Sequence, residues 1–201
     1  MSQIVLPLRP AAGPARIVLG SGNAAIGEAL AHPEAWPFRT AVLTGPPRSG
    51  KSLFARWFAE RGKGDAIDDG QALAEADLFH RWNRAQEQGR PLLIVGGEPP
   101  WVIALPDLKS RLGAALQLEI GPPDDAMAAD LILSLAEERG LPLGEDAAQY
   151  LVPRAERSYL QLEKLVEAID TLSLERKAPP TLAVWRAALE AVRGPEEPRL
   201  L

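Results

Sequence analysis

The apolar positions of this 201-residue chain follow two patterns, and the change between them falls near Pro123. Before it, short continuous apolar runs alternate with longer stretches whose apolar residues return every three or four positions. Thr40 to Thr44 and Pro91 to Val95 read as strands, since brief unbroken apolar runs suit strands covered on both faces, and Asp65 to Ile67 and Ala115 to Ile120 read as two further strands. Between them, Ser52 to Arg61 sets Leu53, Phe54, Trp57 and Phe58 on one side of a helix, and Ala72 to Gln88 is a second helix. Strands that alternate with helices imply a parallel sheet. After Pro123 the pattern is helical throughout, over Asp124 to Gly140, Glu145 to Leu151, Arg157 to Ser173 and Thr181 to Val192, which predicts a small helical lid. Nearer the start, Ile17 to Leu19 reads as a short strand closed by Gly20 to Asn23, and Ala24 to Ala31 as a helix. Pro7, Pro10, Gly13 and Pro14 break up the first residues and leave an arm. The expected organisation is an arm at 1–14, an α/β part at 15–122, a lid at 123–194 and a tail at 195–201.

The junction between the first strand and its helix carries the chemistry. Gly45-Pro46-Pro47-Arg48-Ser49-Gly50-Lys51-Ser52 matches G-x-x-x-x-G-K-[ST] at every fixed position. Glycines let the backbone curl so that successive amides face a phosphate, and the helix N-terminus adds its positive dipole end. Lys51 is placed to reach the β- and γ-phosphates, and the Ser52 hydroxyl to ligate Mg²⁺. An accidental match in a glycine-bearing turn is the plainer alternative, and the strand before and helix after the loop weigh against it. Asp68-Asp69 is the acidic pair that ends an apolar run. In the usual division of labour Asp68 holds the metal's water shell and Asp69 polarises an attacking water. The alternative is a helix cap, with Asp69 accepting backbone hydrogen bonds.

Composition narrows the partners. The charge of −5, from 27 acidic and 22 basic residues, comes with no basic run, so nonspecific attraction to nucleic acid is not expected. The absence of cysteine excludes disulfides, zinc-thiolate sites and a cysteine nucleophile. The opening residues hold no secretory or membrane-spanning pattern, which sets the expectation of a cytoplasmic protein. His32 and His80 have no supporting constellation and read as ordinary surface or boundary residues.

Several of these pieces occur together in an order with a family likeness: Ile17 to Asn23, the phosphate loop, Ile67-Asp68-Asp69-Gly70-Gln71, Leu92 to Pro100, Leu108-Lys109-Ser110-Arg111-Leu112 and the helix around Arg157. From Gln3 to about Val192 the chain resembles the DnaA-related AAA+ family, and within it the short Hda group of DnaA inactivators, alphaproteobacterial forms included. The resemblance implies a P-loop AAA+ parallel sheet flanked by helices, with a small C-terminal all-helical lid, and ATP or ADP with Mg²⁺ as cofactors. It places Asn23 beside the nucleotide base and makes Arg111 an arginine finger that acts in trans. An ordinary surface arginine is the alternative for Arg111. Gln3-Ile4-Val5-Leu6-Pro7-Leu8 is similar to the sliding-clamp-binding peptide of the Hda group, with Gln3, Leu6 and Leu8 as contact residues; an edge strand or an incidental apolar terminus is the alternative. The implied function is an adaptor, associated with the nucleoid or replisome, that binds the β clamp of DNA polymerase III and promotes hydrolysis of DnaA-bound ATP. Nothing after Val192 resembles the DnaA helix-turn-helix, so direct sequence-specific DNA recognition is not expected.

The chain departs from the family pattern in three places. Gly62-Lys63-Gly64 leads almost directly to the acidic pair, where the family inserts a strand and helix, so the sheet is expected to be one strand smaller. Gly96-Gly97-Glu98 stands where a polar sensor belongs. Leu160 aligns with the second sensor arginine, and Arg157 or its neighbour Arg154 is the substitute. Weak or no intrinsic ATPase follows from these departures. A DnaA-like scaffold for another replication partner and a small-molecule P-loop kinase are the competing functions, the kinase disfavoured by the lack of a glycine- and arginine-rich lid. Homo-oligomerisation is left open.

Overall fold

The computed structural model describes residues 17–193, so the arm at 1–14, with Gln3, Leu6 and Leu8, and the tail at 195–201 lie outside the described residues. Two compact units form. One is Ser21–Gly121, and the other, among the described residues, is 17–20 with 122–193.

The first unit is a four-stranded parallel sheet in the order β2-β3-β1-β4, with β1 Thr40–Thr44, β2 Asp65–Ile67, β3 Leu92–Val95 and β4 Leu116–Glu119. Val42 lies between Ile94 on β3 and Gln117 on β4, while Ile67 pairs with Ile94 from the far side. Parallel neighbours need crossovers, and helices supply them: α1 Ala24–Ala31 precedes the sheet, and α2 Lys51–Glu60, α3 Glu75–Glu87 and α4 Pro106–Ala114 connect its strands. Strand residues alternate between the two faces. Val42, Ile67, Leu92 and Ile94 pack with Leu78 and Ala85 of α3 and Leu108 and Leu112 of α4. Phe54 and Phe58 of α2 are fully buried, and the Phe58 ring stacks on Trp36 at 5.2 Å. The chain passes from β3 to β4 across β1, so the strand order reverses at the C-terminal end of β1, the position where open α/β sheets bind ligands.

The second unit packs α5 Asp125–Glu138, α6 Glu145–Leu151, α7 Tyr159–Arg176 and α8 Leu182–Arg193 around Ile132, Leu151, Leu162, Val166, Ile169 and Ala188. Asp124 caps α5 by accepting from the Met127 amide at 2.8 Å.

Three expectations need correction, the first being the helix expected over Arg157 to Ser173, which spans Tyr159–Arg176 and leaves Arg157 ahead of it. Ile17 to Leu19 is no strand: Ile17 makes an isolated bridge and 18–20 have no regular structure. The helix expected from Ala72 starts at Glu75, because Gly70–Ala72 is a 3₁₀ turn and Leu73 is extended at φ −79°, ψ 150°.

Candidate nucleotide-binding site

The loop between β1 and α2 is built from backbone conformations that its residues permit. Gly45 has φ 150°, and a Cβ there would meet the Ile120 Cβ at 2.9 Å, so a side chain fails on both counts. Gly50, at φ 88°, is the left-handed residue from which α2 departs. The loop is anchored at both flanks of β1, with the Gly45 amide donating to Gly97 O at 3.1 Å and the Ile120 amide to Thr44 O at 2.9 Å. Gly50 O accepts from Leu53 and Phe54. The first amides of a helix have no partner within it, so Lys51 and Ser52 place N–H groups at the positive end of α2. Ser49 is buried, and its Oγ has no hydrogen-bond partner among the described residues. A buried orphan hydroxyl costs stability unless something bonds it, which fits a loop shaped for a polar ligand.

Lys51 Nζ donates to Gly45 O and Pro46 O, both at 2.8 Å. Burial lowers its pKa below the ordinary 10.5, and the negative charges of Glu98, Asp68 and Asp69 oppose that shift. The ammonium thus sits over the loop with three carboxylates in its field.

Ser52 Oγ donates to Asp68 Oδ1 at 3.1 Å, bringing together the two residues expected to hold Mg²⁺. A hydroxyl and a carboxylate side by side are the hard oxygen donors that suit Mg²⁺, with Ser52 as the residue that would ligate it and Asp68 as the one that would hold its water shell. Among the described residues no group of three or more His, Asp or Glu is arranged around a metal, and Mg²⁺ ordinarily takes its remaining ligands from water and phosphate. Asp69 is left-handed at φ 51°, ψ 49°. Its side chain makes no cap bond to the 3₁₀ turn that follows, and its amide donates to Asp68 Oδ1 at 3.1 Å. The capping alternative therefore does not describe the Asp69 carboxylate.

Glu98 is the residue that sequence reasoning passed over as a missing sensor. It belongs to the field around Lys51, and the preceding Gly97 amide is fixed by Gln71 Oε1 at 3.0 Å. An acidic residue three positions beyond the strongest strand was the available signal. Asn23 is buried where α1 begins and makes no side-chain cap bond to it, while neighbouring Gly22 O accepts from the Gly121 amide at 3.0 Å.

Arg111 is not gathered with these residues by any described contact. It sits in the last turn of α4, and its guanidinium carbon lies 4.3 Å from the Phe79 ring centroid and 4.6 Å from that of Trp82. Its Nη1 donates to Asn83 Oδ1. In the helical unit, Arg157 pairs with Asp125 at 2.7 Å through Nη2, and its Nη1 is buried with no hydrogen-bond partner among the described residues. Arg154 is occupied differently, donating to Tyr150 O at 2.9 Å.

No protein-family model matches the chain. It is 29% identical over 136 residues to the chromosomal replication initiator protein DnaA of Thermomicrobium roseum, an alignment covering 63% of this chain and 28% of that protein. Among solved structures, domain III of the Thermotoga maritima replication initiation protein DnaA superposes with a TM-score of 0.71 at 17% identity, over 89% of this chain and 95% of that one. The fold is a DnaA-like AAA+ fold. A second DnaA structure, bound to AMPPCP and single-stranded DNA, matches with a TM-score of 0.60 at 17% identity, over 79% of this chain and 65% of that one. The AAA+ likeness thus extends across both units, while the chain spans just over a quarter of its curated relative. Among the described residues no helix is long and apolar enough to cross a membrane.

Proposed function

We propose that the chain is an adaptor of the Hda kind. It holds ATP or ADP with Mg²⁺ on Gly45 to Ser52, binds the sliding clamp through Gln3, Leu6 and Leu8, and promotes hydrolysis of DnaA-bound ATP with Arg111. The observation that carries the nucleotide part is the Ser52–Asp68 pair at 3.1 Å, set beside a loop with an orphaned Ser49 hydroxyl and a lysine in the field of three carboxylates. In that role Ser52 and Asp68 hold the cation, Lys51 and the α2 amides neutralise phosphate, and Asp69 orients water. Asn23 faces the base. A cation held by Ser52 and Asp68 would supply charge neutralisation for the phosphates.

The adaptor part is supported by an arginine that no acidic residue neutralises among the described residues. Gly96-Gly97-Glu98 in place of a polar sensor favours holding nucleotide over turning it over, because an ionised carboxylate has no hydrogen to donate to a γ-phosphate. The deciding experiment measures binding to the clamp of the same organism for the intact chain and for one lacking Met1 to Leu8. Binding that is lost on truncation is the expected result. No binding by the intact chain rejects the clamp adaptor and leaves a DnaA-like scaffold for another partner.

A further inference from the structure

We propose that Phe79, Trp82 and Asn83 on α3 form a cradle that orients the Arg111 guanidinium toward a phosphoryl group on a second protein, which makes them positioning residues for that arginine. The inference rests on the reading of Arg111 as acting in trans.

Positions 79, 82 and 83 stand three and four residues apart, so they share one face of α3, and Arg111 reaches that face from α4. Both ring centroids lie inside the ~6 Å range over which a ring quadrupole attracts a cation. Trp82 Nε1 is buried without a hydrogen-bond partner among the described residues, so the indole is held by the packing of its faces and not by its polar edge.

The manner of restraint separates this arginine from one that merely stabilises the fold. A structural arginine is commonly neutralised by a carboxylate. Here two π-faces and one neutral amide oxygen restrain the group, so its full positive charge is kept. Asn83 takes Nη1, and the guanidinium makes no other hydrogen bond among the described residues, which leaves donors for a planar, multiply bonded anion. A long side chain that is already ordered loses less freedom when it engages a partner. The arrangement is specific for arginine, because the point charge of a lysine ammonium does not lie flat between rings.

The test follows single-turnover hydrolysis of ATP bound to DnaA, with the full chain and clamp-loaded DNA, for Arg111→Ala, Arg111→Lys, Trp82→Leu, Trp82→Phe and Phe79→Leu. Expected results are an Arg111→Lys rate as low as that of Arg111→Ala, and a roughly tenfold lower maximal rate for Trp82→Leu and for Phe79→Leu. The half-saturating concentration is unchanged, and Trp82→Phe, which restores a ring face, recovers most of the rate. Nucleotide binding by the chain itself stays as in the wild type, a readout that general damage would move. Wild-type rates for both leucine variants beside an inactive Arg111→Ala overturn the cradle and spare the function of Arg111. An active Arg111→Ala rejects that function and the cradle with it. If a leucine variant fails to fold, Asn83→Ala and Arg111→Lys decide: a wild-type rate in both overturns the proposal, and a drop in both upholds it.

Discussion

Replacing Lys51 by alanine separates what holds the loop from what the loop holds. In the protein alone, Lys51 Nζ bonds two backbone carbonyls, but the ammonium is partly desolvated, as its lowered pKa records. The two effects oppose one another, so the unfolding free energy is expected to change by no more than ~1 kcal/mol. Phosphate is a different case. A hydrogen bond to a charged group contributes about 1.5–3 kcal/mol, so loss of the ammonium weakens nucleotide binding roughly 10- to 150-fold. Thermal unfolding with and without Mg-ATP or Mg-ADP reads both quantities. Nucleotide at 100 times its Kd stabilises the wild type by about 2.7 kcal/mol, which at this chain length raises Tm by about 5–11 °C. With affinity ~100-fold weaker, the same concentration stabilises Lys51→Ala by about 0.4 kcal/mol, or 1–2 °C. A variant that keeps the full nucleotide shift refutes the assignment of Lys51, and a wild type with no shift refutes the site.

Asp68→Asn is expected to remove most of the Mg²⁺ dependence of nucleotide affinity while leaving binding in EDTA unchanged, measured by titration of a fluorescent nucleotide; Mg²⁺ dependence that persists counts against the Ser52–Asp68 pair. Gly45→Ala, forced to hold φ 150° with its Cβ against Ile120, is expected to lower stability by about 1–3 kcal/mol in urea melts, and a neutral result would show that the loop relaxes. Burial and the nearby Asp124 push the Tyr159 phenol from 10.0 up to about 12, so between those values the folded chain binds more protons than the unfolded one and stability falls as pH rises. Tyr159→Phe is expected to flatten that fall in melts taken from pH 9 to 12, and an unchanged slope would assign it elsewhere. Lys51 acts with the opposite sign: just below 10.5 the unfolded chain binds more protons, so its contribution favours the folded state as pH climbs through that window.

Which parts of this architecture are legible in sequence depends on how local their determinants are. β1 and α6 begin and end where the apolar pattern says, because a parallel strand covered on both faces and a short amphipathic helix each write their period into consecutive residues. The four-strand sheet was likewise readable from the short link at Gly62 to Gly64, which has no room for another strand and crossover helix. Ile17 to Leu19 has the same local composition as a strand yet pairs through one residue, since strand formation requires a partner edge and composition does not reveal whether one is within reach. The candidate site divides along the same line. Gly45 to Ser52 is a contiguous motif, but Glu98 joins Lys51 from 47 positions away, and the Arg111 cradle spans 28 residues to Asn83. Phe79 and Trp82 stand on one helix and pack beside Leu78 and Ala85. Their other face becomes significant only once α4 places a guanidinium against it, a consequence of how two helices pack on one sheet.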